Sequence, residues 1–113
     1  MGLRFAIVAA LDEELRTLHA ALLAAVTEHH AGRAFHRGLL DGHEVVLVRS
    51  GIGKVAAAAT ALLLADRYGV DALVLTGVAG ALAPGISVGD VIVARELLTI
   101  PYPALPSRRL SLR

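Results

Sequence analysis

The chain contains no cysteine, which excludes disulfides, zinc–thiolate sites and thiol nucleophiles together. Its stability must come from burial alone, and a reducing cytoplasm is the expected compartment. It also lacks a prevailing charge, since 11 Lys and Arg against 10 Asp and Glu leave a formal net charge of +1. No extended basic field results, so no nucleic acid and no anionic membrane surface is expected as a partner. Apolar runs long enough to span a bilayer, roughly 20 residues, are missing as well. The stretch over residues 55–65 is closed by Asp66 and Arg67. The N-terminal run over residues 5–11 meets Asp12, Glu13 and Glu14 where a signal peptide needs small cleavage-site residues, so export is not expected. A myristoylation signal fails at Ala6, where Ser or Thr is required. No repeat of fixed period is visible.

What is present is a chain of 113 residues that is 56% hydrophobic and 19% charged, with a mean hydropathy of +0.66. Such a composition collapses around a core, and the length fits one domain that meets small molecules or protein partners.

Residues 5–10 form a continuous apolar run with β-branched members, the pattern of a strand covered on both faces in a parallel sheet. Asp12 and Glu13 suit a helix start, and Leu15, Leu18, Leu22 and Val26 follow at helical spacing, which predicts a helix to about Val26. Asp41-Gly42 between residues 35–40 and 44–49 is a two-residue hairpin signal. Residues 55–68, rich in Ala and Leu, predict a buried helix ending near Gly69. Strands are expected at residues 70–75 and again at 91–94. Pro101, Pro103 and Pro106, followed by Ser107, Arg108 and Arg109, predict an extended tail over residues 99–113, without assigned function. The order of elements describes a layered α/β architecture.

In an open α/β sheet, ligands collect beyond the carboxyl ends of the parallel strands. Three segments qualify: residues 11–14, 50–54 and 76–80, the latter two carrying glycines that permit close approach to the main chain. Residues 51–54 lack the leading Gly and trailing Ser or Thr of a phosphate-binding P-loop, because Val48 and Val55 stand there, and neither glycine cluster has dinucleotide-binding spacing. Taken alone, these glycines serve turns as readily as ligands, and the acidic run is by default a solvated helix start. His19, His29, His30, His36 and His43 show no metal-ligand spacing, so structural or surface roles are expected of them.

Four linked motifs resemble the nucleoside phosphorylase superfamily. They are Ala10-Leu11-Asp12-Glu13-Glu14 after the first strand, the stretch from Ser50-Gly51-Ile52-Gly53-Lys54 to Ala58, Thr76-Gly77-Val78-Ala79-Gly80-Ala81-Leu82, and Val88-Gly89-Asp90-Val91-Ile92-Val93-Ala94. The pattern is most similar to the 5′-methylthioadenosine/S-adenosylhomocysteine nucleosidases and covers residues from about 4 to 96. The resemblance implies a mixed-sheet α/β/α sandwich, of which residues 1–98 are the N-terminal part, and hydrolysis of the bond between adenine and a thio-ribose. It further implies Glu14 as the base that activates water, with Leu11, Ile52, Val78, Ala79 and Gly80 bordering a purine nucleoside. A carboxylate there can take a proton from water attacking the anomeric carbon and favours a sugar of oxocarbenium character. No metal or cofactor is implied, and a homodimer is implied for the intact enzyme. Many nucleosidases of this type have Ser where Val78 stands, which keeps futalosine hydrolases and purine nucleoside phosphorylases open as relatives. Family members are roughly twice as long, and the Asp that protonates the leaving base and the Glu that binds the ribose hydroxyls have no counterpart in these residues. Little or no activity is therefore expected of this chain by itself, because loss of a positioned general acid costs about 100- to 10,000-fold. A non-catalytic α/β fragment that binds a nucleoside or a protein partner is the other reading.

Overall fold

The computed structural model describes residues 2–99. The chain divides into two compact units, Met1–Gly80 and Ala81–Arg113. All helices and strands among the described residues belong to the first: β1 (Arg4–Ala9), α1 (Asp12–Ala21), β2 (Leu23–His30), β3 (Arg33–Leu40), β4 (His43–Arg49), α2 (Lys54–Tyr68) and β5 (Ala72–Leu75). The sheet has the order β2-β3-β4-β1-β5. β1 runs parallel to both of its neighbours, whereas β2, β3 and β4 form an antiparallel meander, so the sheet is mixed.

The unbroken apolar run of β1 reflects burial from both sides. Its alternation sends Phe5 and Ile7 toward Leu18 and Leu22, at and just beyond the α1 end, together with Val45 and Leu47 of β4. Ala6 and Val8 point the other way, into a cluster with Phe35, Val46, Val48 and the α2 residues Leu64 and Tyr68. Helices on both faces make an α/β/α sandwich, as the strand pattern implied. The end of the sheet remote from the β1 carboxyl terminus is closed by Arg4, whose guanidinium donates to Tyr68 O at 2.7 Å and to Glu44 at 3.3 Å, while its backbone N–H donates to Asp71.

The expected hairpin forms, with Asp41 at φ 49° and Gly42 at φ 78°, the mirror-image turn whose twist matches that of its strands. The helix expected to reach Val26 stops at Ala21 instead. Leu22 turns extended and is buried among Val45 and Leu47, after which the chain continues as the edge strand β2 with Val26 half exposed. Two local features force this. Ala24, at φ 52°, makes a bulge in the β2–β3 ladder, and Ala31-Gly32, at φ 50° and 72°, makes a second mirror-image turn. Hydrogen-bonding β3 outweighed the helical propensity of the Leu and Ala residues at 22–25.

α2 ends as expected at Gly69, but it is not buried all round. Only Thr60, Leu64 and Tyr68 are buried, one stripe at i, i+4, i+8, while Val55 and Leu62 stand exposed. The Ala-rich composition reported helix propensity rather than depth. β5 begins at Ala72 rather than residue 70, because the backbone N–H groups of Val70 and Asp71 are taken by Leu64 O and Arg4 O. In the second unit, the strand expected at residues 91–94 does not form among the described residues, and Val91 and Val93 are exposed. A four-residue apolar run becomes a strand only by hydrogen-bonding a neighbour, and among the described residues no strand pairs with it. The unit contains a turn in which Ser87 N–H donates to Asp90 Oδ2 at 2.8 Å. Of the expected tail, residues 100–113 lie outside the described residues.

Candidate active site

The carboxyl ends of β1, β4 and β5 lie side by side because all three strands run parallel, and backbone bonds join the loops that leave them. Ser50 N–H donates to Ala9 O at 2.8 Å, and Thr76 N–H donates to Val8 O at 2.9 Å. The buried Ser50 hydroxyl lies 2.8 Å from Gly51 O and 3.3 Å from Ala9 O, which locks the turn that leads into α2. Gly51 and Gly53 take φ of 84° and 103° in that turn, a region in which a side chain would be strained. No side chain caps α2 at Gly53.

Glu14 is the group on which the loops after β1 and β5 converge. It occupies the third position of α1, so its side chain reaches back over the helix start. The residue preceding α1 is Leu11, which has no side-chain acceptor, and Glu14 supplies the cap instead. Its Oε2 accepts the N–H groups of Ala10 and Leu11, each at 3.1 Å. Its Oε1 accepts Val78 N–H at 3.2 Å, across 64 residues of sequence. A carboxylate offers about four lone-pair sites. Three are filled by backbone donors, and the remaining one is on Oε1.

Of the residues singled out from sequence, Leu11, Glu14 and Val78 are therefore brought together by hydrogen bonds. Ile52 stands on the neighbouring loop, exposed, and Ala79 and Gly80 follow Val78 in exposed positions. No hydrogen bond among the described residues joins these three to the carboxylate. Two contributors were not singled out in the sequence: Ser50, which ties the β4 loop to β1, and Gly77, where a side chain would meet the Glu14 carboxyl group. Their motifs were legible, but the partner of each lies far along the chain.

The histidines are placed elsewhere. His19 of α1 stacks on His36 of β3 with ring centroids 4.1 Å apart, and His36 Nδ1 is 2.8 Å from Thr27 Oγ1. Burial first, then the neighbouring His19 and His29, holds His36 below the ordinary imidazole pKa. This pair lines a cleft of about 680 Å³ together with Arg16 and Arg49, on a face of α1 that does not include Glu14. His30 packs against Phe35 and Tyr68, and His43 meets Phe5 edge-on. Among the described residues no three His, Cys, Asp or Glu side chains gather to hold a metal, and no helix is long and apolar enough to cross a membrane.

Residues 4–104 match the family model of the phosphorylase superfamily. The chain belongs to the phosphorylase superfamily. It is 46% identical over 91 residues to a 5′-methylthioadenosine/S-adenosylhomocysteine nucleosidase of Colwellia psychrerythraea, a match covering 80% of this chain and 37% of that protein. The nucleosidase of S. pneumoniae, solved with the transition-state inhibitor MT-ImmA, superposes with a TM-score of 0.76 at 48% identity, covering 78% of this chain and 38% of that one. A futalosine hydrolase of Helicobacter pylori shares the fold at a TM-score of 0.66 and 28% identity, over 72% of this chain and 35% of its own. The chain thus spans about 37% to 41% of the length of the curated relatives it matches. This superfamily member has the mixed sheet and two-sided helix packing that the sequence motifs implied.

Proposed function

We propose that the described residues form the water-activating part of a purine-nucleoside N-glycosidase site, acting on 5′-methylthioadenosine and S-adenosylhomocysteine. The observation that carries the reading is the Glu14 carboxylate, fixed between the β1 and β5 loops with one acceptor position left on Oε1. In the reaction, that position accepts a proton from water as the water oxygen bonds to the anomeric carbon and the bond to N9 of adenine breaks. The bond electrons leave with adenine as its anion, which takes a proton from solvent, and Glu14 returns the proton it accepted to bulk water. The carboxylate charge favours the oxocarbenium character of the sugar, and the backbone donors keep it from rotating away. Leu11, Ile52, Val78, Ala79 and Gly80 border the nucleoside, whose apolar faces suit the exposed Leu11, Ile52 and Val78 side chains. Residues 1–98 act as one partial domain in this reading. The whole protein is a cytoplasmic homodimer that needs no metal or cofactor.

The test is adenine release from 5′-methylthioadenosine by the purified chain, with futalosine as a competing substrate. The chain binds the nucleoside and releases adenine about 100- to 10,000-fold more slowly than a nucleosidase equipped with a general acid. Glu14→Gln abolishes the residual release. Release that persists in the Glu14→Gln protein, or absence of both binding and release, refutes the proposal. Preferential turnover of futalosine keeps the chemistry and replaces the substrate. A second reading, nucleoside binding without turnover, draws on the Ala10 and Leu11 donors, because they already give Glu14 a role as helix cap. Binding with no adenine release supports it.

A further inference from the structure

We infer that Gly77 is a positioning residue for the Glu14 carboxylate, and that its lack of a side chain is what lets one carboxylate bridge α1 and the loop after β5. The contact stands by itself, while its catalytic meaning rests on the nucleosidase reading. Seven glycines among the described residues have positive φ and are explained by their backbone, but Gly77 is not one of them. Its reason is packing. A Cβ built at Gly77 would lie 3.0 Å from Glu14 Oε1, 3.4 Å from Cδ and 3.6 Å from Oε2, so its three nearest neighbours all belong to the carboxyl group. Gly80, three residues on, has nothing within 4 Å and serves as the internal contrast.

The geometry gives the methyl group a defined effect. To accommodate it, the carboxylate must withdraw by a few tenths of an ångström. The bonds from Ala10 and Leu11 to Oε2, at 3.1 Å each, are made within the α1 start and move with it. The bond from Val78 N–H to Oε1 is already 3.2 Å and is the one bond of the three that crosses to β5. It therefore lengthens beyond hydrogen-bonding distance first. The result is a carboxylate still capping α1 but released from the β5 loop, with the open acceptor of Oε1 displaced from its place between the loops. Displacements on this scale are enough to spoil a near-attack geometry.

The test is a double-mutant cycle on the whole chain, read by urea unfolding and by the amide resonances of Ala10, Leu11 and Val78. Gly77→Ala lowers the folding equilibrium constant several-fold in the Glu14 background and shifts the Val78 amide proton upfield, leaving those of Ala10 and Leu11 in place. In a Glu14→Ala background the same substitution meets no carboxylate and is neutral or stabilising, because it restricts the unfolded chain. Equal effects in both backgrounds, or an unmoved Val78 amide in Gly77→Ala, overturn the inference. Should Gly77→Ala fail to fold, the Glu14→Ala/Gly77→Ala protein decides the matter: recovery of folding supports the contact, and continued failure refutes it. None of these readouts uses adenine release, so loss of the nucleosidase reading would leave the result intact.

Discussion

Replacing Glu14 by Gln is the usual way to remove a catalytic base without changing shape, yet here it must also weaken the fold. The carboxylate accepts N–H groups from Ala10, Leu11 and Val78 at 3.1, 3.1 and 3.2 Å. An amide can turn its oxygen toward Ala10 and Leu11 and keep both bonds, at the strength of neutral ones. Its NH2 then faces Val78 N–H, donor against donor. Net contributions are about 1.5–3 kcal/mol for a hydrogen bond to a charged group and about 1 kcal/mol for a neutral one. Two weakened bonds and one lost bond sum, at the low end of these ranges, to about 2.5 kcal/mol in a buried site. Glu14 is half-buried, and solvent screening reduces the total to about 2 kcal/mol. For a chain near 100 residues that corresponds to a fall in Tm of about 10 °C. Thermal unfolding followed by circular dichroism at pH 7 reads it directly. A Glu14→Gln protein whose stability stays within about 0.5 kcal/mol of the parent would show that the three bonds are not formed together. Any assay of adenine release by this variant therefore has to be run well below its melting temperature.

Gly38→Ala tests the unexpected exit from α1: a Cβ there would lie 2.6 Å from Leu23 O and 2.7 Å from Leu22 Cγ, so overpacking costs about 1–3 kcal/mol or more, whereas Gly80→Ala is neutral. Urea unfolding of both proteins checks the contrast, and equal stabilities would contradict the close passage of β2 over β3. The depressed pKa of His36 sets a sign for pH dependence. Near pH 6 the folded chain binds fewer protons than the unfolded one, so stability falls as pH drops below about 6.5 and levels off once the folded-state pKa is passed. Asp12 opposes this shift, while His19 and His29 promote it. His36→Gln flattens the profile between pH 5 and 7, and an NMR titration of His36 with a midpoint above 6.5 would contradict the assignment.

The central strand, the hairpin at Asp41-Gly42 and the C-terminus of α2 were legible because each rests on a local cause: an unbroken apolar run, two residues that tolerate positive φ, and a glycine that closes a helix. Glu14 was singled out only through the family resemblance of the motif after the first strand, since the acidic run by itself reads as a solvated helix start. The second half of the first expected helix was not legible. Leu22 and Val26 have helical spacing, and only the pairing of β2 with β3 separates them into a buried plug and a half-exposed edge residue. The turn at Ala31-Gly32 carries no Asn or Asp to announce it. Burial of α2 was overestimated because Ala promotes helix formation wherever the helix lies.

Sequence by itself determined which segments could be covered on both faces, where the tight turns fall and which carboxylate follows the first strand, because those properties depend on residues adjacent in the chain. Tertiary structure alone decided what that carboxylate touches. The parallel order of β4, β1 and β5 brings Val78 and Gly77 against Glu14 from more than sixty residues away. No pattern of neighbouring residues encodes that meeting, because it arises from strand pairing. A hydrogen bond and a missing methyl group then fix the position of the Glu14 carboxylate.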